Sequence, residues 1–245
     1  MNNAENLKTE DCESLHLFSA LTSFFALGSP KSGYKSLVIG ESVIPDWLSM
    51  LRSSEPLLSI LNPANYDGPL VPLFTFGRQQ WQILHGASRP HSKTLLQDLQ
   101  ALVNSSCTEP ELLPIYNNTI ELLRRVLSLV ILNSVDSEDY GNDGAASNPL
   151  PSSTSYPTPR LEAWDALLLL WEVSGDFIPL LKAPVPRQEA VVIYAHFLIL
   201  IKKLEQSWWL EGWATHMMER VWLSLDHQHR MWIQWAVEEI GWIPP

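Results

Sequence analysis

A chain of 245 residues with 46% hydrophobic and 18% charged side chains holds ample core material and is too apolar to stay disordered. Its net charge of -11, from 16 basic and 27 acidic residues, repels a phosphate backbone, so no direct DNA binding is expected. The longest apolar run, Ala190 to Ile201, contains His196 and falls short of the roughly 20 residues a bilayer span needs, so no membrane segment is expected.

The start, Met1 to Cys12, is polar and acidic, unlike the basic and then apolar pattern of a secretory signal. An intracellular location, nucleus or cytoplasm, is the expectation. The two cysteines, Cys12 and Cys107, lie far apart and form no C-x-x-C pair, so neither a disulfide framework nor a zinc site is indicated.

In chain order, Leu15, Phe18, Leu21 or Thr22, and Phe25 recur at helical spacing and predict an amphipathic helix closed by Gly28 and Pro30. A second, short helix is predicted to carry Ile44, Trp47, Leu48 and Leu51, with Pro45 in its first turn. The stretch Asn62 to Pro72 reads as a loop, and Leu70 to Phe76 as a short apolar anchor. From Ser92, a candidate N-cap, Leu95, Leu96, Leu99, Leu102 and Val103 follow a helical pattern. Another helix is predicted over about Leu113 to Leu132, with Ile115, Thr119, Leu122, Val126 and Val130 inward.

Residues 136–160 are rich in Ser, Pro, Gly and Asp and read as an exposed, disordered loop. This loop separates a helical half at 1–135 from a more apolar half at 161–245 within one domain. Beyond it, LEAWDALLLLWEV is apolar nearly all round and reads as a central helix. Further helices are predicted over Gln188 to Leu204, Ser207 to Leu225, and Gln228 to Ile240 with Gly241 as C-cap. No alternating strand pattern of useful length occurs, so the fold class is all-α: one irregular multi-helix domain with a disordered internal loop.

Catalytic and metal signatures are weak. His227 and His229 stand at i, i+2 and do not share a helical face, so with His216 and Glu219 they read as surface residues rather than as ligands of zinc or iron. No metal and no cofactor are expected. His196 has no carboxylate or nucleophile one turn away and reads as a satisfied core histidine. Glu238 and Glu239 diverge by about 100° on a helix and read as a solvated face, as do the pairs Arg124/Arg125 and Lys202/Lys203. Nucleotide-binding glycine motifs and Gly-x-Ser-x-Gly are absent.

Tryptophan is the unusual feature, with seven of the 11 between Trp208 and Trp242. Trp209, Trp213 and Met217 repeat at i, i+4, i+8, and Trp232 and Trp235 continue on the next helix. Core packing accounts for such indoles by default, yet flat aromatic walls beside a thioether also suit a sterol-like or polycyclic ligand. A candidate ligand site thus comprises His196, Trp209, Trp213, Met217, Trp232 and Trp235, with the indole helices and the Ala190 to Ile201 helix expected to line an apolar cavity.

The series Trp209-Leu210-Glu211-Gly212-Trp213-Ala214, Leu225-Asp226 and Arg230-x-Trp232-Ile233-x-Trp235-x-x-Glu238-x-Ile240-Gly241-Trp242 resembles the C-terminal end of fungal zinc-cluster transcription factors of the sterol-uptake-control type. The Gly68-Pro69-Leu70-Val71-Pro72-Leu73 loop resembles an earlier landmark of the same family. The resemblance implies an all-helical regulatory domain that holds a sterol-like molecule near its C-terminal helices and transmits its presence to transcription. Two departures matter: the six-cysteine zinc module cannot be built from two cysteines, and Ala236 stands where the family has proline.

The leading expectation is a non-catalytic regulator that binds a hydrophobic small molecule or a protein partner, in a fungal metabolic or secondary-metabolite pathway, and reaches DNA only through that partner. The alternative is a cofactor-free isomerase or cyclase of such a pathway, with His196, Asp165 or Glu211 as acid or base. A third is a fragment of a longer regulator.

Overall fold

A computed structural model of the chain describes residues 8–28, 55–85, 94–138, 163–183 and 185–245. Eleven helices and no strand occur among the described residues, which makes the fold all-α. They are α1 (Thr9–Gly28), α2 (Glu55–Leu61), α3 (Val71–His85), α4 (Gln97–Ser106), α5 (Leu113–Glu138), α6 (Ala163–Val173), α7 (Ile178–Lys182), α8 (Gln188–Lys203), α9 (Trp213–Ser224), α10 (His227–Trp232) and α11 (Gln234–Ile240). No described helix is long and apolar enough to cross a membrane.

The organising element is α8. Every residue from Ala190 to Ile201 is buried, because α8 is touched by α4, α5, α6, α7, α9, α10 and α11 and has no solvent side in that stretch. A helix surrounded this way must be apolar all round, as this one is apart from Tyr194 and His196. Its polar ends lie where the packing stops: Arg187 as N-cap, and Lys202 and Lys203 in the last turn, where cations suit the helix dipole. Each large aliphatic side chain buried here stabilises the fold by about 1.5–3 kcal/mol.

A separate, smaller cluster joins α1 to the body through Cys12, Leu61 and Phe74, with Leu57, Leu58, Tyr66 and Leu70 against it. The α1 face that packs carries Cys12 and His16, with His16 5.7 Å from Phe74 and Glu13 accepting the Tyr66 hydroxyl at 2.5 Å. The predicted apolar face is the other one: Leu15, Phe18, Leu21 and Phe25 are exposed.

Several expectations are corrected. The apolar anchor at Leu70 to Phe76 is the start of α3, since Pro72 is tolerated in a first turn where no N–H is needed. The α4 helix starts at Gln97, not at Ser92, because Leu96 takes the left-handed conformation at φ 60° and is held there by burial of its side chain. The helix predicted from Ser207 begins at Trp213, where Gly212 supplies φ 70°. The helix predicted from Gln228 is two helices, α10 and α11, broken at Ile233, while Gly241 caps the end at φ 70°. Arg124 is not on a solvated face: its guanidinium is buried, donating to the Leu95 carbonyl and Gln100 Oε1, both at 2.7 Å, and pairing with Glu121. The helix predicted around Trp47 and most of the 136–160 loop lie outside the described residues.

Candidate functional site

The C-terminal helices α9, α10 and α11 all pack on α8, and this junction brings together most of the residues singled out by the tryptophan pattern. Met217 and Trp213 are buried on α9, and Trp213 Nε1 donates to the Trp209 carbonyl at 3.0 Å, which closes the turn leading into the helix. His196, 3% exposed, lies 5.7 Å from the Trp235 ring. Trp209, Trp232 and Trp235 are half-buried and form the outer part of the group.

Buried as it is, His196 has an imidazole pKa pushed down to about 4 by desolvation, partly offset by its bond to Val192. Its Nδ1 donates to the Val192 carbonyl at 2.9 Å, one turn back on the same helix. The ring is therefore a neutral core histidine turned onto its own helix. Of the acids named as alternatives to it, Glu211 is exposed in the turn before α9, and the side chain of Asp165 lies outside the described residues.

An apolar cavity of about 10 Å³ lies on α8, faced by α5 and α6 and lined by Thr119, Leu123, Leu169, Val173, Ile193 and Phe197. That volume holds one water molecule at most. It is not at the indole junction, where Trp213, Met217, Met218 and Val221 are all buried.

Three features of the junction escaped the sequence reading. His229 is buried, against the expectation of a surface histidine, while His227 is exposed. Asp226 caps α10, accepting the His229 backbone N–H at 2.9 Å and its Nδ1 at 2.9 Å, which holds the Asp226 carboxyl below the usual carboxylate range. The ring packs at a tilt against Trp232, 4.5 Å between ring centres, and its Nε2 is buried without a hydrogen-bond partner. The Asp226-x-x-His229 spacing of a helix cap was the available signal.

Gln188 at the start of α8 grips the α9–α10 turn, donating to the Ser224 carbonyl at 3.1 Å and accepting from the Asp226 backbone N–H at 2.9 Å. Finally, the Arg230 guanidinium lies 5.0 Å from the centre of the Trp222 ring, its Nε donates to the Trp222 carbonyl at 3.0 Å, and Trp222 lies 5.6 Å from Trp242. These three side chains are half-buried, so the cluster is part of the surface. Among the described residues no group of three or more His, Cys, Asp or Glu side chains is placed to hold a metal ion.

Compared with family models, with curated proteins and with solved structures, the chain matches none. What the fold itself defines, among the described residues, is an all-α arrangement around a helix that is buried from Ala190 to Ile201.

Proposed function

We propose that this chain is a non-catalytic, regulator-like helical domain that acts by docking a protein partner on its C-terminal aromatic face. The observation that carries the reading is the half-exposed cluster in which Trp222 meets Arg230 and, at a tilt, Trp242, held in place by the Arg230 bond to the Trp222 carbonyl. Tryptophan and arginine supply a large share of binding energy at protein interfaces: an indole offers broad contact area with few rotamers to freeze, and the Arg230 guanidinium is already fixed by its bond to the Trp222 carbonyl. Support for binding over catalysis comes from His196, whose imidazole is turned onto Val192, and from Glu211, which is exposed to solvent away from it.

The role in transcription rests on the resemblance of the C-terminal motif, and these residues, with two cysteines, do not themselves supply the zinc module for DNA contact. The test is a tethering assay: the full chain is fused to a heterologous DNA-binding module and reporter transcript is measured. A change in transcript that Trp222→Ala and Arg230→Ala abolish, at equal protein level, is the expected result. An unchanged reporter from a well-expressed fusion overturns the reading.

A further inference from the structure

Arg230 is a cation without an acid of its own. Among the described residues, Arg124, Arg125, Arg187, Lys202 and Lys203 each form an ion pair with a carboxylate of the chain, supplied by Glu121, Glu109, Glu205 or Glu239. Arg230 forms none. Asp226, one helical turn before it, is engaged elsewhere, since both of its oxygens meet His229 Nδ1 at 2.9 Å. The Arg230 guanidinium is nevertheless fixed, because Nε donates to the Trp222 carbonyl at 3.0 Å and the group lies 5.0 Å from the centre of the Trp222 ring. These contacts use Nε and one flat face, and the fork of Nη1 and Nη2, whose N–H bonds lie in the guanidinium plane, is left over.

The surroundings of the fork decide what it takes. Each member of the cluster is followed in the chain by a large apolar side chain left in solvent: Leu223 after Trp222 is 69% exposed, Met231 after Arg230 65%, and Ile243 after Trp242 86%. Successive Cα atoms lie about 3.8 Å apart, so apolar surface borders the guanidinium. A carboxylate carries one charge and two oxygens that match the fork end-on. A phosphate carries about -1.5 to -2 at neutral pH and calls for more than one cation, and nucleic acid calls for many. The chain as a whole, at -11, repels such polyanions, yet its field is screened beyond about 8 Å at physiological salt, so a single carboxylate is governed by the guanidinium it touches. Apolar side chains beside that carboxylate cover Leu223 and Met231 and keep water from the ion pair, which strengthens it.

We propose that the face formed by Trp222, Arg230 and Trp242 docks a segment of a partner protein in which one Asp or Glu stands among apolar residues, its carboxylate held by Nη1 and Nη2 of Arg230. This rests on the reading of that face as a docking surface and adds to it the chemistry of the partner.

The test selects displayed random peptides on the full chain and measures synthetic copies of the enriched ones by anisotropy. Enriched peptides should carry Asp or Glu beside Leu, Phe or Trp. Binding should weaken by about tenfold when the peptide acid is changed to Gln, and by about tenfold in Arg230→Met. The two changes together should cost no more than either alone, as two groups in direct contact require. Leu223→Ser/Met231→Ser, which alters exposed side chains only, should weaken binding by about threefold or more. An unchanged far-UV spectrum and melting temperature verify each fold, and if Arg230→Met fails that check, the Gln peptide and the double variant decide. No enrichment over an unrelated protein, peptides without an acid, or additive losses overturn the proposal. Tighter binding by about tenfold when phosphoserine replaces the acid assigns the fork to phosphate, and a dimer broken by Arg230→Met in light scattering assigns the face to a second copy; each result also overturns it. Peptides indifferent to their acid, beside a tethered reporter that responds, sink this inference alone, whereas acid-dependent peptides beside an unresponsive reporter sink the transcriptional reading alone.

Discussion

The carboxylate of Asp226 holds His229 by two bonds, one to its backbone N–H and one to its Nδ1, each at 2.9 Å. The first satisfies one of the amide groups left open at the start of α10, and the second fixes the imidazole against Trp232. Asp226→Ala is expected to cost about 1–2 kcal/mol, the usual value of an N-cap. Asp226→Asn, which keeps an accepting oxygen, should cost a fraction of that. Urea denaturation of the three proteins checks this, and equal midpoints for Asp226→Ala and wild type would refute it.

Arg124 gives a larger effect. Its guanidinium is 7% exposed and ties α5 to the Leu95 carbonyl and to Gln100 of α4, as well as to Glu121 one turn away. Arg124→Met keeps the stem but leaves a carbonyl and an amide oxygen without donors, an expected loss of about 2–4 kcal/mol. Arg125→Met, which removes a more exposed partner of the same Glu121, is expected to change stability by about 0.5 kcal/mol at most. Comparable losses for the two variants in thermal denaturation would contradict the assignment.

These two sites show where the sequence could be read and where it could not. Helix α8 was visible because burial on all sides leaves an unbroken apolar run, Ala190 to Ile201, that only a central helix explains. Arg124 looked like half of a solvated basic pair, since nothing local in the chain reveals that the Leu95 carbonyl sits within reach. The apolar periodicity of α1 identified the helix but not its inward face: Cys12 and His16 pack on the body and the phenylalanines do not. Leu96 in the left-handed region is a tertiary effect that backbone propensity argues against. In the candidate site, the indole spacing places Trp213 and Met217 on one buried face of α9, whereas the Arg230 contact with Trp222 depends on the turn at Leu225 and Asp226 between α9 and α10, which helical periodicity does not show.

Burial of His196 makes stability depend on acidity. Its folded pKa of about 4 lies below the ordinary 6.5, so between those values the unfolded chain takes up a proton that the native ring refuses. The contribution is fully present above pH 6.5 and is lost as pH falls towards 4, with a slope of up to about 1.4 kcal/mol per pH unit. His16, also lowered by burial, acts in the same direction. The His196 share is therefore read as the difference between wild type and His196→Leu, whose stability should fall less steeply over that window. Parallel curves for the two proteins would show that the ring is charged or solvated in the native state.

Trp213 separates an indole that belongs to the core from one that lines a ligand site. Its ring is 7% exposed, it packs in the cluster that contains Met217 and Met218, and its Nε1 donates to the Trp209 carbonyl. If these contacts fill the junction, removing the ring opens a void and takes the Nε1 donor away from that carbonyl. Trp213→Ala is then expected to cost about 3–5 kcal/mol, whereas Trp209→Ala, from a half-buried side chain, should cost clearly less. On the same grounds, titration of wild type with a sterol or a polycyclic hydrophobe should leave tryptophan fluorescence unchanged, because the buried Trp213, Met217 and Met218 are already packed against their neighbours. A saturable quench in wild type that Trp213→Ala removes, together with a small loss of stability in that variant, would reverse the assignment and make the junction a ligand site.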